Sequence, residues 1–341
     1  LIMKKGEFFM RAFVVDQYGK DASLIEKDVT PEKTGKHELR VQIEGSSINP
    51  LDTKMFFGHV AAASTTGILQ GDVTGKVIGI GDGVTSFSIG DCIVAFGGGL
   101  GTRAGALAEE MLVPEQMAVL RPEGVSAEVA GCLPVIGLTA MEILKERIEI
   151  TPGIRVYVAG GTGGVGHLTV QLARHYGCDV TASASSDEKA AWLEAKGIRV
   201  HRYKEESAEA LLKRLDLDGF DVIIDTVGGD HLQESFILAK ERGRIISIAT
   251  RTTQDLTMMH SKALSLEAVF VALPLLKGKT DEMKQQQHHL AELLHLVEDG
   301  TIEIRIEERI PYEREALNDI YQRFDQTSHF GKVSVYPTSK K

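Results

Sequence analysis

The stretch from Arg155 to Tyr176 limits the possible folds more than any other part of the chain. Arg155-Val156-Tyr157-Val158-Ala159 is a short apolar run, as a buried strand would be. Gly161-Thr162-Gly163-Gly164-Val165-Gly166 follows it as G-x-G-x-x-G and opens a helix-like stretch from Val165 to Tyr176. Alone, such a pattern also fits a glycine turn with no ligand. Between a strand and a helix it is the fingerprint of a dinucleotide-binding βαβ unit. Gly161 permits the tight turn, and Gly163 lets the backbone approach a pyrophosphate. Gly166 allows the helix to pack closely on the strand, while the helix N-terminus directs partial positive charge at the phosphates. Gly164 and Val165 complete the candidate phosphate loop.

The same rhythm continues downstream. Val180 to Ala184, Asp221 to Asp225 and Arg244 to Ile248 are further apolar runs, and Glu188 to Lys196 is a helix that Gly197 stops. Strands alternating with helices predict an α/β fold, a doubly wound parallel sheet covered on both faces. The chain before about Ser126 has another character. Runs such as Glu38 to Ile43 and Gly75 to Ile80 alternate between turns at Gly81-Asp82-Gly83 and Gly97-Gly98-Gly99, which predicts a β-rich, partly barrel-like region. Ser126 to Ala130 and Leu138 to Glu146 read as helix. After about residue 275 the expected elements are a polar helix from Asp281 to Glu298, a strand from Ile302 to Ile306, another helix and a closing strand from Lys332 to Tyr336. Within the polar helix, Gln285-Gln286-Gln287-His288-His289 is expected to be a solvated face.

At 341 residues the chain suits two domains of ordinary size. Its net charge of −10, with Lys and Arg scattered, argues against nucleic-acid or anionic-membrane partners. No apolar run approaches the roughly 18 residues of a membrane span. Leu1 to Phe9 lacks the apolar core and cleavage site of a signal peptide. Because Arg11 to Val15 reads as the first strand, the residues before Met10 are either a leader or a misplaced start. Cys92, Cys132 and Cys178 are far apart and form no C-x-x-C. A disulfide framework or closed structural zinc site is not expected, and a reducing cytoplasm is the natural compartment.

The end of the second nucleotide-domain strand bears on the cofactor. An NAD site usually places Asp or Glu there for the ribose hydroxyls. This chain has Ser183-Ala184-Ser185-Ser186, with Lys189 one turn into the next helix. Hydroxyls and a cation suit the 2′-phosphate of NADP(H). Asp187 and Glu188 weigh against that reading, and Lys189 also fits a solvated helix lysine.

Further segments recur in a recognisable order. Ser47-Ile48-Asn49-Pro50-Leu51-Asp52 contains N-P-x-D. Leu69 to Gly75, Gly81 to Val84, Phe87 and Gly90-Asp91 follow as G-x-D-x-x-G, G-x-G-V, F and G-D. Leu133 to Ala140 ends in L-T-A, and Ala159 to Gly166, Asp221 to Gly229 and Phe330-Gly331-Lys332-Val333 complete the series. From Arg11 to Val335 these segments resemble the zinc-free quinone oxidoreductase branch of the medium-chain dehydrogenase/reductase superfamily.

The resemblance implies a β-rich, GroES-like catalytic domain (1–137 and 275–341) and a Rossmann dinucleotide-binding domain (138–274), with the nicotinamide in the cleft between them. It implies a homodimer that extends the nucleotide-domain sheet across a two-fold axis. It nominates Asn49, Asp52 and Thr139 near the nicotinamide, with Asn49 positioning substrate and Thr139 bonding the nicotinamide end. Ser185, Lys189 and Tyr203 fall around the 2′-phosphate. Val227, Gly228 and Ala249 lie where the cofactor passes the strand ends, and Lys332 lies near the cofactor. Plainer roles also fit: Asn49 and Asp52 suit a turn beside Pro50, Thr139 suits helix capping or packing, and Tyr203 suits a half-buried strand. Some relatives carry a pocket tyrosine downstream of the asparagine. Here Gly58-His59-Val60 stands instead, leaving His59 or Lys54 as substitute donors or as exposed loop residues. Cys132 reads as packing.

In zinc alcohol dehydrogenases of this superfamily, a cysteine stands in the place of Asn49 and a His-Glu pair in the place of Asp72-Val73. Their cysteine-rich lobe would fall between about Phe96 and Glu109, where this chain has Gly97-Gly98-Gly99-Leu100-Gly101. Asparagine and valine are poor zinc ligands, so no metal is expected. Without a Lewis acid, alcohol oxidation fits poorly. The expected reaction is hydride transfer from NADPH to a quinone. Enone reduction and non-catalytic NADPH binding are the alternatives.

Overall fold

The apolar runs pair into three sheets in the computed structural model, which describes residues 2–4, 7–60 and 63–338. Three antiparallel strands come first: β1 (Ile2–Lys4), β2 (Glu7–Val15) and β3 (Leu24–Val29). Pairing thus begins ahead of Met10. A second sheet is built on β4 (Glu38–Ile48), β5 (Asp72–Ile80), β6 (Cys92–Phe96), β7 (Glu110–Pro114) and β8 (Ala118–Leu120). Helix α1 (Pro50–Phe56) follows β4, and α2 (Ala127–Gly131) and α3 (Pro134–Met141) follow β8. Helix α3 starts earlier than the expected Leu138 because Pro134 supplies a pre-set first turn. It passes into a π-helical turn at Glu142–Arg147.

The third sheet is the one its alternating sequence predicts. Strands β9 (Arg155–Ala159), β10 (Asp179–Ser183), β11 (Arg199–His201), β12 (Phe220–Asp225), β13 (Ala239–Ser247) and β14 (Ser265–Ala268) run parallel in the order β11-β10-β9-β12-β13-β14. The intervening helices are α4 (Gly164–His175), α5 (Asp187–Ala195), α6 (Ala208–Leu215), α7 (Asp230–Leu238) and the short α8 (Thr257–Ser261). Strand β9 sends Val156 and Val158 into one apolar cluster and Tyr157 and Ala159 into another, so both faces are covered. Leu168, Val170 and Leu172 of α4 are fully buried, each contributing about 1.5–3 kcal/mol of apolar burial. The order reverses between β9 and β12, where ligands of such sheets bind beyond the carboxyl ends of the strands.

The chain then returns to the second sheet. Helices α9 (Leu273–Lys277) and α10 (Thr280–Glu298) precede β15 (Ile306–Pro311), α11 (Arg314–Arg323) and β16 (Lys332–Tyr336). The second sheet reads β15-β16-β4-β5-β6-β8, with β7 also on β4, and does not close into a barrel. Register is decisive here: β16 pairs antiparallel with β4 through Val333↔Ile48, Ser334↔Ser47 and Val335↔Ser46. That pairing brings Lys332 to the end of β4, beside Asn49.

Two expectations need correction. Ile302 to Ile306 is not a strand; β15 starts at Ile306. The side chain of Gln171 occupies both backbone polar groups of Glu303, and the His167 ring accepts from the Arg305 N–H. The segment is therefore tied chiefly to α4, and meets the sheet only where the Lys332 N–H donates to the Arg305 carbonyl (2.9 Å). The glutamine run is only partly a solvated face, with Gln285 and His288 exposed. Gln286 shares the buried face of Met283, Leu290 and Leu293, and donates to the Val271 carbonyl. Gln287 donates to the carbonyls of Glu115 and Ala118.

Candidate active site

The phosphate loop is shaped by glycines on both sides of the motif. Gly160, just ahead of it, takes φ +73° and turns the chain out of β9. At Gly166 a Cβ would lie 2.0 Å from the Gly160 carbonyl oxygen, so only glycine lets α4 sit this close to β9. Helix α4 starts after Gly163 with no side-chain cap. Its first-turn N–H groups, from Gly164 through Gly166, therefore form an anion cradle at the positive end of the helix. The loop is braced from two directions. The Ser183 hydroxyl accepts from the Gly160 N–H (2.8 Å), and the Gly331 N–H donates to the Thr162 carbonyl (2.9 Å).

At the carboxyl ends of β12 and β13, buried Asp225 accepts from the N–H groups of Val227 (3.1 Å) and Gly228 (2.8 Å) and from the Ser247 hydroxyl (2.7 Å). This fixes a loop that leaves Val227 45% exposed and brings Gly228 against Ala249. The structure thus brings Val227, Gly228 and Ala249 together beside the phosphate loop.

The other end is more mixed. Ser185 is half-buried between β10 and α5, and the neighbouring Ser186 caps α5. The half-buried Tyr203 ring packs edge-on against His231, with centroids 5.1 Å apart. Lys189 is not a solvated lysine. It is buried, and its ammonium donates to the Ser328 carbonyl (2.9 Å), the Ser328 hydroxyl (2.7 Å) and the His329 carbonyl (3.0 Å). Burial lowers its pKa. In this arrangement Lys189 ties α5 to the loop before β16.

Where β4, β5 and β16 meet, Asn49, Asp52, Asp72 and Lys332 form one buried cluster. Asp52 accepts from the Asn49 N–H (2.8 Å) and the Gln70 N–H (3.2 Å), which fixes the start of α1 and holds Gln70 at φ +71°. Burial raises its carboxyl to about 7 against those two donors. Asp72 accepts from the Ser47 hydroxyl (2.5 Å), the Asn49 amide (2.8 Å) and the Val135 N–H (2.8 Å), the last bond capping α3. Thr139 lies on α3 and donates its hydroxyl to the Val135 carbonyl (2.7 Å), which leaves only oxygen lone pairs for a ligand. Lys332 is 3% exposed, and its ammonium donates to the Asn49 side-chain oxygen (2.6 Å) and the Ile48 carbonyl (3.1 Å), with Asp72 at 3.7 Å. The lysine stem lies against Gly164 at the start of α4. It thus spans from the phosphate loop to Asn49.

His59 is exposed, and its carbonyl accepts from Arg251. Cys132 is wholly buried, with burial pushing its thiol up to about 12. Residues unassigned by sequence reasoning also serve the site: Asp72, Asp225, Gly160, Ser183 and His167. A charged residue opening the apolar strand β5 and a glycine immediately before the motif were the available signals. Ser183 stood in the serine run read for its hydroxyls, but its hydroxyl braces Gly160; nothing local marked His167.

Comparison with known proteins agrees with this architecture. Residues 35–123 match the alcohol dehydrogenase GroES-like domain, and residues 164–285 match the zinc-binding dehydrogenase family. A zinc-type alcohol dehydrogenase-like protein of Staphylococcus aureus is 31% identical over 80% of this chain and 81% of its own length. The quinone oxidoreductase of Pseudomonas aeruginosa is 28% identical over 86% of this chain and 89% of its own. The structure of Escherichia coli quinone oxidoreductase complexed with NADPH shares the fold, with a TM-score of 0.82 at 22% identity over 96% of this chain and all of that one. Matched to both family models in domain order, and 31% identical to a zinc-type alcohol dehydrogenase-like protein over 80% of its length, the chain belongs to the zinc-type alcohol dehydrogenase-like family of the medium-chain dehydrogenase/reductase superfamily.

Proposed function

We propose that this protein oxidises NADPH and passes the hydride to a quinone or a related electrophilic carbonyl compound without a metal. The observation that carries the reading is the contact between the uncapped start of α4 and the Lys332–Asn49–Asp72 cluster, bridged by the lysine stem on Gly164. A bound nicotinamide cofactor supplies the hydride. The first-turn N–H groups of α4 hold its pyrophosphate, and Val227, Gly228 and Ala249 line its path. Asn49 and the lone pairs of Thr139 orient the reacting end. Asp52 acts on this site by building the turn that carries Asn49.

The donors at the zinc position do not fit zinc. An amide and a carboxylate face an ammonium there, and a cation already neutralises the carboxylate. For the adenosine end, Ser185 and Tyr203, with Arg202 and Lys204 flanking Tyr203, support NADP(H) over NAD(H). The NADPH-bound E. coli relative of the same fold agrees. The domain limits are placed at 1–137 with 275–341 and at 138–274. The open edge of β14, close to exposed Phe270 and Leu273, supports a homodimer. No helix among the described residues is long and apolar enough to cross a membrane, and a cytoplasmic location is proposed.

The test is titration of the purified protein with NADPH and NADH by nicotinamide fluorescence, followed by 9,10-phenanthrenequinone. Tight NADPH binding and loss of signal on adding the quinone are expected. Preference for NADH would overturn the cofactor assignment. Binding with turnover of enones but not quinones would move the substrate to α,β-unsaturated carbonyls, and no binding would refute the reading.

A further inference from the structure

We propose that Lys332 is a built-in cation that takes the place of a metal in this site and acts on the substrate through Asn49. The inference rests on the function proposed above. Asn49 is held between opposite charges. Its amide nitrogen donates to Asp72 (2.8 Å), and its carbonyl oxygen accepts from the Lys332 ammonium (2.6 Å). A carboxylate can only accept and an ammonium can only donate, so the amide has a single possible orientation. The nitrogen carries two hydrogens, and Asp72 takes one. The other remains for the oxygen of an acceptor that gains negative charge as hydride adds.

An amide whose oxygen is bonded to a cation is a stronger donor at nitrogen, because linked hydrogen bonds polarise one another. A buried ammonium 3.7 Å from Asp72 therefore delivers charge to the reacting oxygen through one intervening side chain. Lys332 is a positioning residue in this scheme. Its place follows from fold register: β16 pairs with β4 at Val333↔Ile48, and the lysine stem packs on Gly164, so the cation is fixed to the cofactor loop and to Asn49 together.

Asparagine occurs in this chain only as Asn49 and Asn318, so selective ¹⁵N-asparagine labelling yields two side-chain amide signals. In the wild type the Asn49 signal is expected to stand apart from that of Asn318, and to move in Lys332→Met. The same variant is expected to lower kcat for 9,10-phenanthrenequinone at least tenfold while the NADPH Kd stays within threefold. Removing one charge of a buried pair weakens folding, so the double variant Lys332→Met/Asp72→Asn removes both. Its thermal midpoint is expected to recover while kcat stays at least tenfold low. Recovery of kcat in the double variant would show that Lys332 only balances Asp72, and would overturn the proposal. An unmoved Asn49 signal, or an NADPH Kd rising as steeply as kcat falls, would also overturn it. A shifted Asn49 signal in a protein that turns over no quinone would instead refute the proposed function and leave the lysine–asparagine coupling standing.

Discussion

Replacing His167 tests how the phosphate loop is fastened to the rest of the molecule. The ring is wholly buried on α4, one residue past the glycine motif. Its partners assign the tautomer: Nδ1–H donates to the Gly163 carbonyl (3.0 Å), and Nε2 accepts from the Arg305 N–H (3.4 Å). Both bonds need a neutral ring, and burial lowers its pKa from 6.5 to about 4. The unfolded chain takes up this proton near pH 6.5 and the folded chain only near pH 4. Across that interval the unfolded state binds more protons, so stability falls as the pH drops. Between pH 7 and pH 5 this removes about 2 kcal/mol.

Asp52 works in the opposite sense. Its carboxyl titrates at about 7 when folded against 3.8 otherwise, so the folded chain binds the extra proton. Stability from Asp52 is present at low pH and lost as the pH rises through 7, a term of about 2 kcal/mol over the same window. The wild-type profile therefore conceals both, and His167→Gln exposes one. Glutamine does not titrate, while its amide still offers a donor and an acceptor. The stability advantage of the wild type over this variant is expected to shrink by about 2 kcal/mol from pH 7 to pH 5. Urea unfolding followed by fluorescence of the single tryptophan, Trp192, whose ring lies 6.4 Å from His167, measures the difference. A difference independent of pH would refute the claim that the junction holds this ring neutral.

Gly166→Ala places a Cβ 2.0 Å from the Gly160 carbonyl, so α4 must move off β9. NADPH affinity, read by fluorescence titration, is expected to fall at least tenfold, about 1.4 kcal/mol. Asp225→Ala strands two loop N–H groups and the Ser247 hydroxyl, and is expected to cost about 3 kcal/mol in thermal unfolding. Arg202 pairs with Asp187 at the carboxyl end of the sheet, next to Tyr203. Arg202→Ala is expected to reduce the kcat/KM preference for NADPH over NADH roughly tenfold, the size of one hydrogen bond to a charged group.

The parts of the fold legible in the sequence were those whose environment is local. Val156–Ala159 is apolar because both faces of β9 are covered, and the motif declares itself through Gly161 and Gly166, where a Cβ would meet Ala182 at 2.5 Å and the Gly160 carbonyl at 2.0 Å. Lys332–Tyr336 was read with its observed limits. Ile302 to Ile306 misled because Ile302 and Ile304 alternate as in a strand and are indeed buried. What the pattern could not carry is that Gln171, 132 residues away, occupies the backbone of Glu303. Lys189 illustrates the same limit. Its position beside Ser185 suggested a phosphate ligand, yet its ammonium bonds a loop that only the returning chain brings near.

The cluster of Asn49, Asp72 and Lys332 is a stronger case still. Asn49 and Lys332 are 283 residues apart, and each sits in a short motif that explains it locally, a turn before Pro50 and a glycine before a strand. Their contact depends on β16 entering the sheet beside β4 in one register. A shift of one residue would turn Lys332 to the other face. The buried charge helps to specify that register, since any other pairing would leave Asp72 or Lys332 without its counter-charge. Site and fold are thus not separable here: the ion pair that orients Asn49 also favours the strand pairing that creates it.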